Sequence, residues 1–175
     1  QVVAAAVELG LVDAIANGER DARALARATN TNEPSLHRLL SAMVTLGLCK
    51  QDDDDHFSLT ATGALLRKDT PESLAAWATL SGTRFLEQWG RLAESVRTGQ
   101  SIRKRSEAHD DFSRLDEDAQ AAQLFNQAMV NLTTPIALDV VQAVDFSTAR
   151  CVMDVGGGYG QLLCSVLAAN PDVQG

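Results

Sequence analysis

The stretch with the clearest chemical potential is VMDVGGGYGQLL, residues 152–163, where an apolar run ends in an acid and a glycine cluster. An apolar strand, a glycine turn and a helix, in that order, hold nucleotide-like cofactors in α/β folds, because glycines let the backbone approach the ligand. Four glycines in five residues exceed what a tight turn needs. A purely structural turn, with Asp154 capping the helix, is the alternative. The candidate cofactor-binding residues are Asp154, Gly156, Gly157, Gly158 and Gly160.

The spacing of these glycines discriminates between cofactors. A dinucleotide fingerprint, G-x-G-x-x-G, beginning at Gly156 would need a glycine at the position of Gln161. The carboxylate of Asp154 would repel a pyrophosphate, whereas it would favour the sulfonium and ammonium groups of S-adenosylmethionine. The residues therefore favour S-adenosylmethionine, and an NAD-binding protein becomes a disfavoured alternative.

The elements before the turn are predicted to be mostly helical. Apolar spacing predicts helices over 2–16, 21–29 and 35–47. Asn32 is the predicted N-cap of the third helix, and Thr60 that of a short later helix. Two short strands, Leu48–Lys50 and His56–Leu59, are joined by a loop of four aspartates. Three helices followed by a small hairpin is the order of a winged-helix domain.

Further helices lead from this domain to the glycine turn. The segment from Pro71 to Gly99 is predicted to be helical, with a core of Trp77, Leu80, Phe85, Trp89, Leu92 and Val96. Another helix should begin near Asp116, Glu117 and Asp118 and run to about Thr134, where Pro135 interrupts it before a further stretch, 136–143.

Residues 151–175 have the pattern of an opening β-α-β unit. Residues 151–155 are predicted to be a buried parallel strand, 159–170 a helix, and Val173 the first residue of a second strand. One strand, one helix and the start of another strand cannot complete a parallel sheet. The chain also opens inside an apolar helical pattern and lacks an initiator Met. We therefore expect residues before Gln1 and a longer protein beyond Gly175.

Composition excludes several classes of function. The chain has 23 acidic and 15 basic residues, a net charge of −8, which disfavours partners bound through nucleic-acid phosphates or anionic membranes. No apolar run is long enough to span a bilayer. The three cysteines, Cys49, Cys151 and Cys164, lie in apolar surroundings and are predicted to be reduced and buried, which suits the cytoplasm. No metal site is predicted, since the aspartate run lacks the glycine and spacing of an EF-hand loop.

VMDVGGGYGQLL resembles motif I of the small-molecule O-methyltransferases, the group of plant phenolic, acetylserotonin and bacterial polyketide O-methyltransferases. The likeness covers nearly the whole chain. LGLVDAIANG and LARATNTNEPSLHRLLSAMVTLGL are similar to the N-terminal dimerisation domain, a winged helix, and FSLTATGALLR to its wing and next helix. QWGRLAESVRTG and LFNQAMVNLT are similar to segments that the family places before the cofactor domain.

This resemblance implies a mainly α fold class and an order of parts. Residues 1–98 would be a winged-helix-like dimerisation domain with the helices that follow it. Residues 99–145 would be a linker and a long helix, and 146–175 the first strand, turn and helix of an α/β, Rossmann-like methyltransferase domain that binds S-adenosylmethionine. The protein would be a cytoplasmic homodimer that methylates a hydroxyl of a small aromatic or polyketide-type acceptor.

The resemblance also assigns roles to single residues. Gly156, Gly158 and Gly160 would line the cofactor, with Gly156 nearest its methionine end, and Asp154 would support the turn. Two further residues, Phe125 and Met129, match a Phe and a Met that wall the acceptor pocket and the cofactor in the plant enzymes. Simple core packing at i, i+4 spacing remains the alternative for this pair. The sequence departs from the plant pattern at Leu132, where a polar residue can occur, and at Tyr159.

The family's catalytic histidine, which takes the proton from the acceptor hydroxyl, would lie beyond Gly175. None of the histidines present, His37, His56 and His109, matches its position, and each is expected at the surface. The resemblance therefore implies that this chain carries no catalytic residue. We expect the 175-residue chain alone to have no methyltransferase activity.

A ligand-responsive winged-helix transcription regulator is the alternative function. The domain would then insert its second helix-turn-helix helix into the major groove of DNA, with the wing near phosphate. The predicted wing tip is Asp52, Asp53, Asp54 and Asp55, and four carboxylates repel a phosphate backbone. A solvated hairpin tip without any role is the preferred interpretation of this run, and nucleic acid is not an expected partner.

Overall fold

A computed structural model of the chain describes residues 1–102 and 118–175, and it is mainly helical, as predicted. The helices are α1 (Val2–Glu8), α2 (Leu11–Ala16), α3 (Ala22–Ala28), α4 (Glu33–Thr45), α5 (Ala61–Ala64), α6 (Ala75–Leu80), α7 (Leu86–Gly90), α8 (Leu92–Thr98), α9 (Ala119–Ala143) and α10 (Gln161–Ala169). A π-helical turn, Ser81–Phe85, joins α6 to α7. The strands β1 (Cys49–Gln51) and β2 (Phe57–Leu59) form an antiparallel hairpin.

Side-chain caps fix where the early helices begin. The carboxylate of Asp21 accepts a hydrogen bond from the N–H of Ala24 at 2.8 Å and so starts α3. The side chain of Asn32 accepts from the N–H of Ser35 at 3.1 Å, which confirms it as the N-cap of α4. The single helix predicted over 2–16 is wrong, because Gly10 takes a left-handed φ of +68° and divides it into α1 and α2.

The N-terminal core is formed by α1–α4, the hairpin and α5, which together we call the N-terminal module. Its fully buried side chains include Leu11, Val12, Leu25, Leu40, Met43 and Phe57. The hydroxyl of Thr60 accepts from the N–H of Gly63 at 3.0 Å and starts α5, as predicted. Gly63 lies directly against the chain before β1: a methyl group there would stand 1.9 Å from the carbonyl oxygen of Leu48. The close approach of α5 to Leu48 therefore requires glycine at position 63.

The acidic hairpin tip has a structural role that the sequence interpretation missed. The carboxylate of Asp52 accepts hydrogen bonds from the N–H groups of His56 at 2.9 Å and Asp54 at 3.1 Å. These bonds, chiefly that from His56, hold the pKa of Asp52 below its usual value. Asp55 takes a left-handed φ of +63°, which aspartate tolerates better than most residues. The interpretation of a tip without any role is therefore wrong for Asp52.

Only one of the three predicted buried thiols is buried. Cys49 is 2% exposed, and burial raises the pKa of its thiol to about 11. Cys151 and Cys164 are exposed, so that prediction is wrong for both. Cys151 begins a segment that the described residues leave largely uncovered, and Cys164 lies on the outer side of α10.

These environments predict different thiol reactivities. At pH 8, a disulfide reagent such as Ellman's should modify Cys151 and Cys164 within minutes in the folded protein, because a thiolate attacks only where it forms and is accessible. Cys49 should react only after unfolding in guanidinium, which gives the total of three thiols. Three rapid thiols in the folded protein would contradict the packing of β1.

The segment after the N-terminal module is helical as predicted, but much of its predicted core is exposed. Leu80 is 1% exposed, and the rings of Trp77 and Phe85 meet edge to face with centroids 5.6 Å apart. Trp89 is 68% exposed and Val96 76% exposed, and Leu92 is also exposed. Helical periodicity identified one apolar face, but only its first half packs against the described chain.

The long helix α9 continues through Pro135, so the predicted interruption at Thr134 is wrong. Proline costs a helix one hydrogen bond, here to the carbonyl of Asn131, and packing of α9 against α6 and α10 offsets that loss. Asp118 is the N-cap, and its carboxylate accepts from the N–H of Ala121 at 2.9 Å. The predicted contributions of Asp116 and Glu117, and the position of His109, lie outside the described residues.

The parallel pairing predicted for the C-terminal segment is present, but as a single bridge. Cys151 pairs in parallel with Gln174, and the N–H of Val152 donates to the carbonyl of Gln174 at 2.8 Å. The prediction of a buried strand over 151–155 is wrong for the described chain, since Met153 and Val155 are more than four-fifths exposed. A parallel strand becomes buried only between neighbours on both sides, and the described residues supply one.

Within the described residues, no helix combines the length and the apolar character that crossing a bilayer requires.

Candidate functional site

The glycine turn joins the bridge at Cys151 to helix α10, and its backbone requires glycine. Gly156, Gly158 and Gly160 have φ values of +78°, +57° and +75°, a region that residues with a Cβ adopt at a cost of about 1–2 kcal/mol each. Gly160 is also the N-cap of α10, so that Tyr159 and Gly160 belong to the turn and not to the predicted helix.

The fourth glycine, Gly157, lies against an acidic side chain. A methyl group on Gly157 would stand 2.4 Å from a carboxylate oxygen of Asp154, which therefore folds back over the turn. Gly157 itself has no left-handed φ, and the end of the flexible Asp154 side chain can move to admit a methyl group. Backbone geometry thus favours glycine at three of the four positions, and the expectation that the turn contains more glycine than its geometry needs stays a prediction for Gly157.

The open space beside the turn is the feature that indicates ligand binding. A methyl group on Gly156 or Gly158 would meet no atom within 4 Å, because both residues border open space. That space is a cavity of about 540 Å³, which we call the glycine-turn cavity. Its walls are the turn, the start of α10 and one face of α9. A volume of this size lies in the range of small-molecule sites.

The cavity brings together most of the predicted site residues. Asp154, Gly156, Gly157 and Gly158 line one side, and Phe125 and Met129 from α9 line the other. Both α9 side chains are half-buried, and their i, i+4 spacing places them on one face of the helix. Gly160 does not line the cavity; it sets the direction of α10. Leu132 does not line it either.

Sequence reasoning missed several lining residues: Asn126, Val130, Thr133, Tyr159, Gln161 and Leu162. Thr133 continues the i, i+4 series from Met129 and could have been found by helical spacing alone. Gln161 was used only as evidence against a dinucleotide fingerprint, although the first residue of a helix that follows a glycine turn faces the same space as the turn.

This arrangement defines a class of site. A turn at the end of a parallel bridge, a helix that begins there and an open cavity between them form the half-site with which α/β proteins hold nucleotide-like cofactors. An apolar and sulfur-containing wall, Phe125 and Met129, closes the opposite side. Of the histidines in the described residues, neither His37 nor His56 lines the cavity.

Family models give this class a name. The model of the O-methyltransferase dimerisation domain matches residues 1–69, and that of the O-methyltransferase domain matches residues 89–175. The chain therefore belongs to the O-methyltransferase family.

Individual relatives agree with this assignment. Phenazine O-methyltransferase PhzM of Lysobacter antibioticus is 31% identical over 97% of this chain and 50% of its own length. Human N-acetylserotonin methyltransferase, solved with SAM, aligns with a TM-score of 0.89 and 25% identity over 99% of this chain and 53% of its own. NcsB1 from neocarzinostatin biosynthesis, solved with S-adenosylmethionine and a hydroxylated naphthoic acid, has a TM-score of 0.75 and 30% identity over 98% of this chain and 54% of its own. The chain spans about half the length of the curated relatives that it matches.

Proposed function

We propose that this chain supplies the dimerisation domain and the cofactor-binding turn of an S-adenosylmethionine-dependent O-methyltransferase acting on a small aromatic or polyketide-type hydroxyl. The observation that carries the proposal is that one cavity is lined by Phe125 and Met129 on one side and by Asp154 and the glycines on the other. The solved relatives with bound SAM, and in one case a hydroxylated aromatic acid, support it.

The residues present fit this cofactor by chemistry and by space. The carboxylate of Asp154 stands over the turn, where it would attract the ammonium and sulfonium charges of S-adenosylmethionine. Gly156 and Gly158 leave room for close approach to the backbone. When bound, the cofactor would supply an activated methyl group on sulfur. Gly160 would act indirectly, by directing α10.

The proposed part of Phe125 and Met129 is to orient the acceptor. An aromatic ring and a thioether give an apolar wall that excludes water from the reacting oxygen and holds a flat acceptor in a limited set of orientations. Positioning of this kind can account for much of the catalysis in a methyl transfer. The base that takes the hydroxyl proton is expected beyond Gly175, as the family resemblance implies.

Calorimetric titration with S-adenosylhomocysteine, in the protein as its gene encodes it, tests the cofactor proposal. We expect micromolar affinity, about −8 kcal/mol. Absence of binding at millimolar ligand would mean that the turn is structural only, and would overturn the proposal.

Substitution of Met129 tests whether the α9 wall is functional or only core. Met129→Ala removes a half-buried side chain from the cavity and should weaken S-adenosylhomocysteine binding about fivefold, equivalent to ~1 kcal/mol. Leu132→Ala is the matched control, since Leu132 is equally half-buried on the same helix but does not line the cavity. If both substitutions lower only the melting temperature, Phe125 and Met129 are core residues and their proposed role is wrong.

The remaining parts of the proposal concern the domains of the protein, its oligomeric state and its location. We propose that residues 1–98 form the winged-helix dimerisation unit of a homodimer, that 99–145 link it to the cofactor unit, and that 146–175 open that unit. The match to the dimerisation domain supports the homodimer. Three free thiols among the described residues suit a reducing, cytoplasmic location. We do not propose a DNA-binding regulator, because the four carboxylates at the hairpin tip would repel the phosphates of DNA.

A further inference from the structure

A second cavity, of about 720 Å³, lies between the N-terminal module and α9, and we call it the interdomain cavity. Helix α1, the segment 68–79 and another face of α9 form its walls. The α9 residues that line it are Leu124, Gln127, Val130, Asn131 and Thr134, and all but Val130 lie on a different face of the helix from Phe125 and Met129. Val130 and Gln161 line both cavities, so the two spaces are neighbours, not one.

Asn131 is the reason to regard this cavity as a ligand site. It is 5% exposed, and its side-chain oxygen Oδ1 is buried without a hydrogen-bond partner among residues 1–102 and 118–175. A buried, unpaired polar atom costs about 1–3 kcal/mol, so it needs an explanation. Pro135 adds a second acceptor at the same residue, because it has no N–H for the main-chain carbonyl of Asn131.

Two hydroxyl groups that line the cavity already donate elsewhere. Thr79 donates to the carbonyl of Ala75 at 3.0 Å, and Thr134 donates to that of Val130 at 2.8 Å. The hydroxyl protons of Thr79 and Thr134 are therefore used by their own helices. A donor for Asn131 can come from a molecule that enters the cavity.

The charged groups that line the cavity have opposite signs. Glu8 and Lys68 both border it and are both exposed. Among the described residues, neither makes an ion pair. The apolar residues of the lining include Val7, Pro71 and Leu124. The lining of the cavity thus combines two opposite charges, apolar side chains and a buried hydrogen-bond acceptor.

We propose that the interdomain cavity binds a zwitterionic aromatic molecule that carries a ring hydroxyl, with the chemistry of a hydroxylated aromatic amino acid. Its carboxylate lies toward Lys68 and its ammonium toward Glu8, its ring contacts the apolar walls, and its hydroxyl donates to Oδ1 of Asn131. This site is separate from the proposed cofactor site and does not depend on methyltransferase activity.

The test is an NMR titration of the full chain with L-tyrosine and with L-phenylalanine, which differ by the one hydroxyl group. We expect L-tyrosine to shift the side-chain amide resonances of Asn131, and L-phenylalanine to bind about tenfold more weakly, since it leaves the buried acceptor unpaired. Equal affinity for both amino acids, or shifts confined to the glycine-turn cavity, would overturn the proposal.

Two substitutions on α9 test whether the preference for L-tyrosine over L-phenylalanine arises at Asn131. Asn131→Leu removes the acceptor while keeping the side-chain volume, and should reduce the tenfold preference for L-tyrosine to about one. Asn126→Leu is the matched control, since Asn126 lines the glycine-turn cavity instead, and it should keep the preference. Lys68→Gln should weaken both ligands equally. A preference that survives Asn131→Leu, or that is lost in Asn126→Leu, would place the hydroxyl elsewhere and refute the assignment.

Discussion

Gly63→Ala should destabilise the N-terminal module by about 3 kcal/mol, at the upper end of the range for overpacked sites. The added methyl group would stand 1.9 Å from the carbonyl oxygen of Leu48, which is main chain and cannot rotate away. Relief requires that α5 separate from the residue before β1, and this separation also weakens the hydrogen bond from the N–H of Thr60 to the same carbonyl. Chemical denaturation followed by circular dichroism measures the loss.

Gly90→Ala is the matched control for this prediction. Gly90 is an exposed helical glycine with nothing within 4 Å of an added methyl group. Alanine there should stabilise the chain by up to about 1 kcal/mol, from helix propensity alone. If Gly63→Ala behaved like Gly90→Ala, the contact between α5 and the residue before β1 would be wrong.

Local signals in the sequence were sufficient for the N-terminal fold. Asn32 and Thr60 cap the helices that they were predicted to cap, because a capping side chain and its target N–H lie within three residues of each other. The ends of the hairpin strands were predicted to within one residue, because the signals for these strands and their loop are also local in the sequence. The division at Gly10 was missed because the apolar pattern continues across it, and periodicity does not report a left-handed residue.

Burial was predicted less well than secondary structure, because it depends on distant parts of the chain. Trp89, Val96 and Val155 have apolar spacing typical of core residues, yet all are exposed in the described structure. The Pro135 prediction failed for a related reason: tertiary packing of α9 outweighs the one hydrogen bond that proline removes.

From the sequence, the candidate site could be predicted at the glycine motif and on one face of α9, but no further. Asp154 and three of the glycines line the glycine-turn cavity together with Phe125 and Met129, which are about 30 residues away in the chain. Asn131 could not be found in this way. A polar residue on a helix resembles a surface residue in sequence, and only the structure, in which α6 packs against α9, shows that Asn131 is buried and that its Oδ1 has no partner among the described residues.

Gly158→Ala should lower the affinity for S-adenosylhomocysteine about thirtyfold, equivalent to ~2 kcal/mol. Gly158 has a φ of +57°, and its missing side chain leaves open the space that we propose for the cofactor. Alanine can adopt this conformation at a cost of about 1–2 kcal/mol in stability, so the protein should still fold. Its methyl group would then occupy the glycine-turn cavity, and calorimetric titration would measure the loss of affinity.

Gly99→Ala is the control for Gly158→Ala. It distinguishes the effect of backbone strain from that of a methyl group that blocks the glycine-turn cavity. Gly99 ends α8 with a φ of +66°, and an added methyl group there also meets nothing within 4 Å. The two substitutions should therefore lower the free energy of unfolding by similar amounts, while only Gly158→Ala weakens ligand binding. Equal affinities in the two variants would show that the open space beside the turn is not where the cofactor lies, and the proposed function would lose the observation on which it rests.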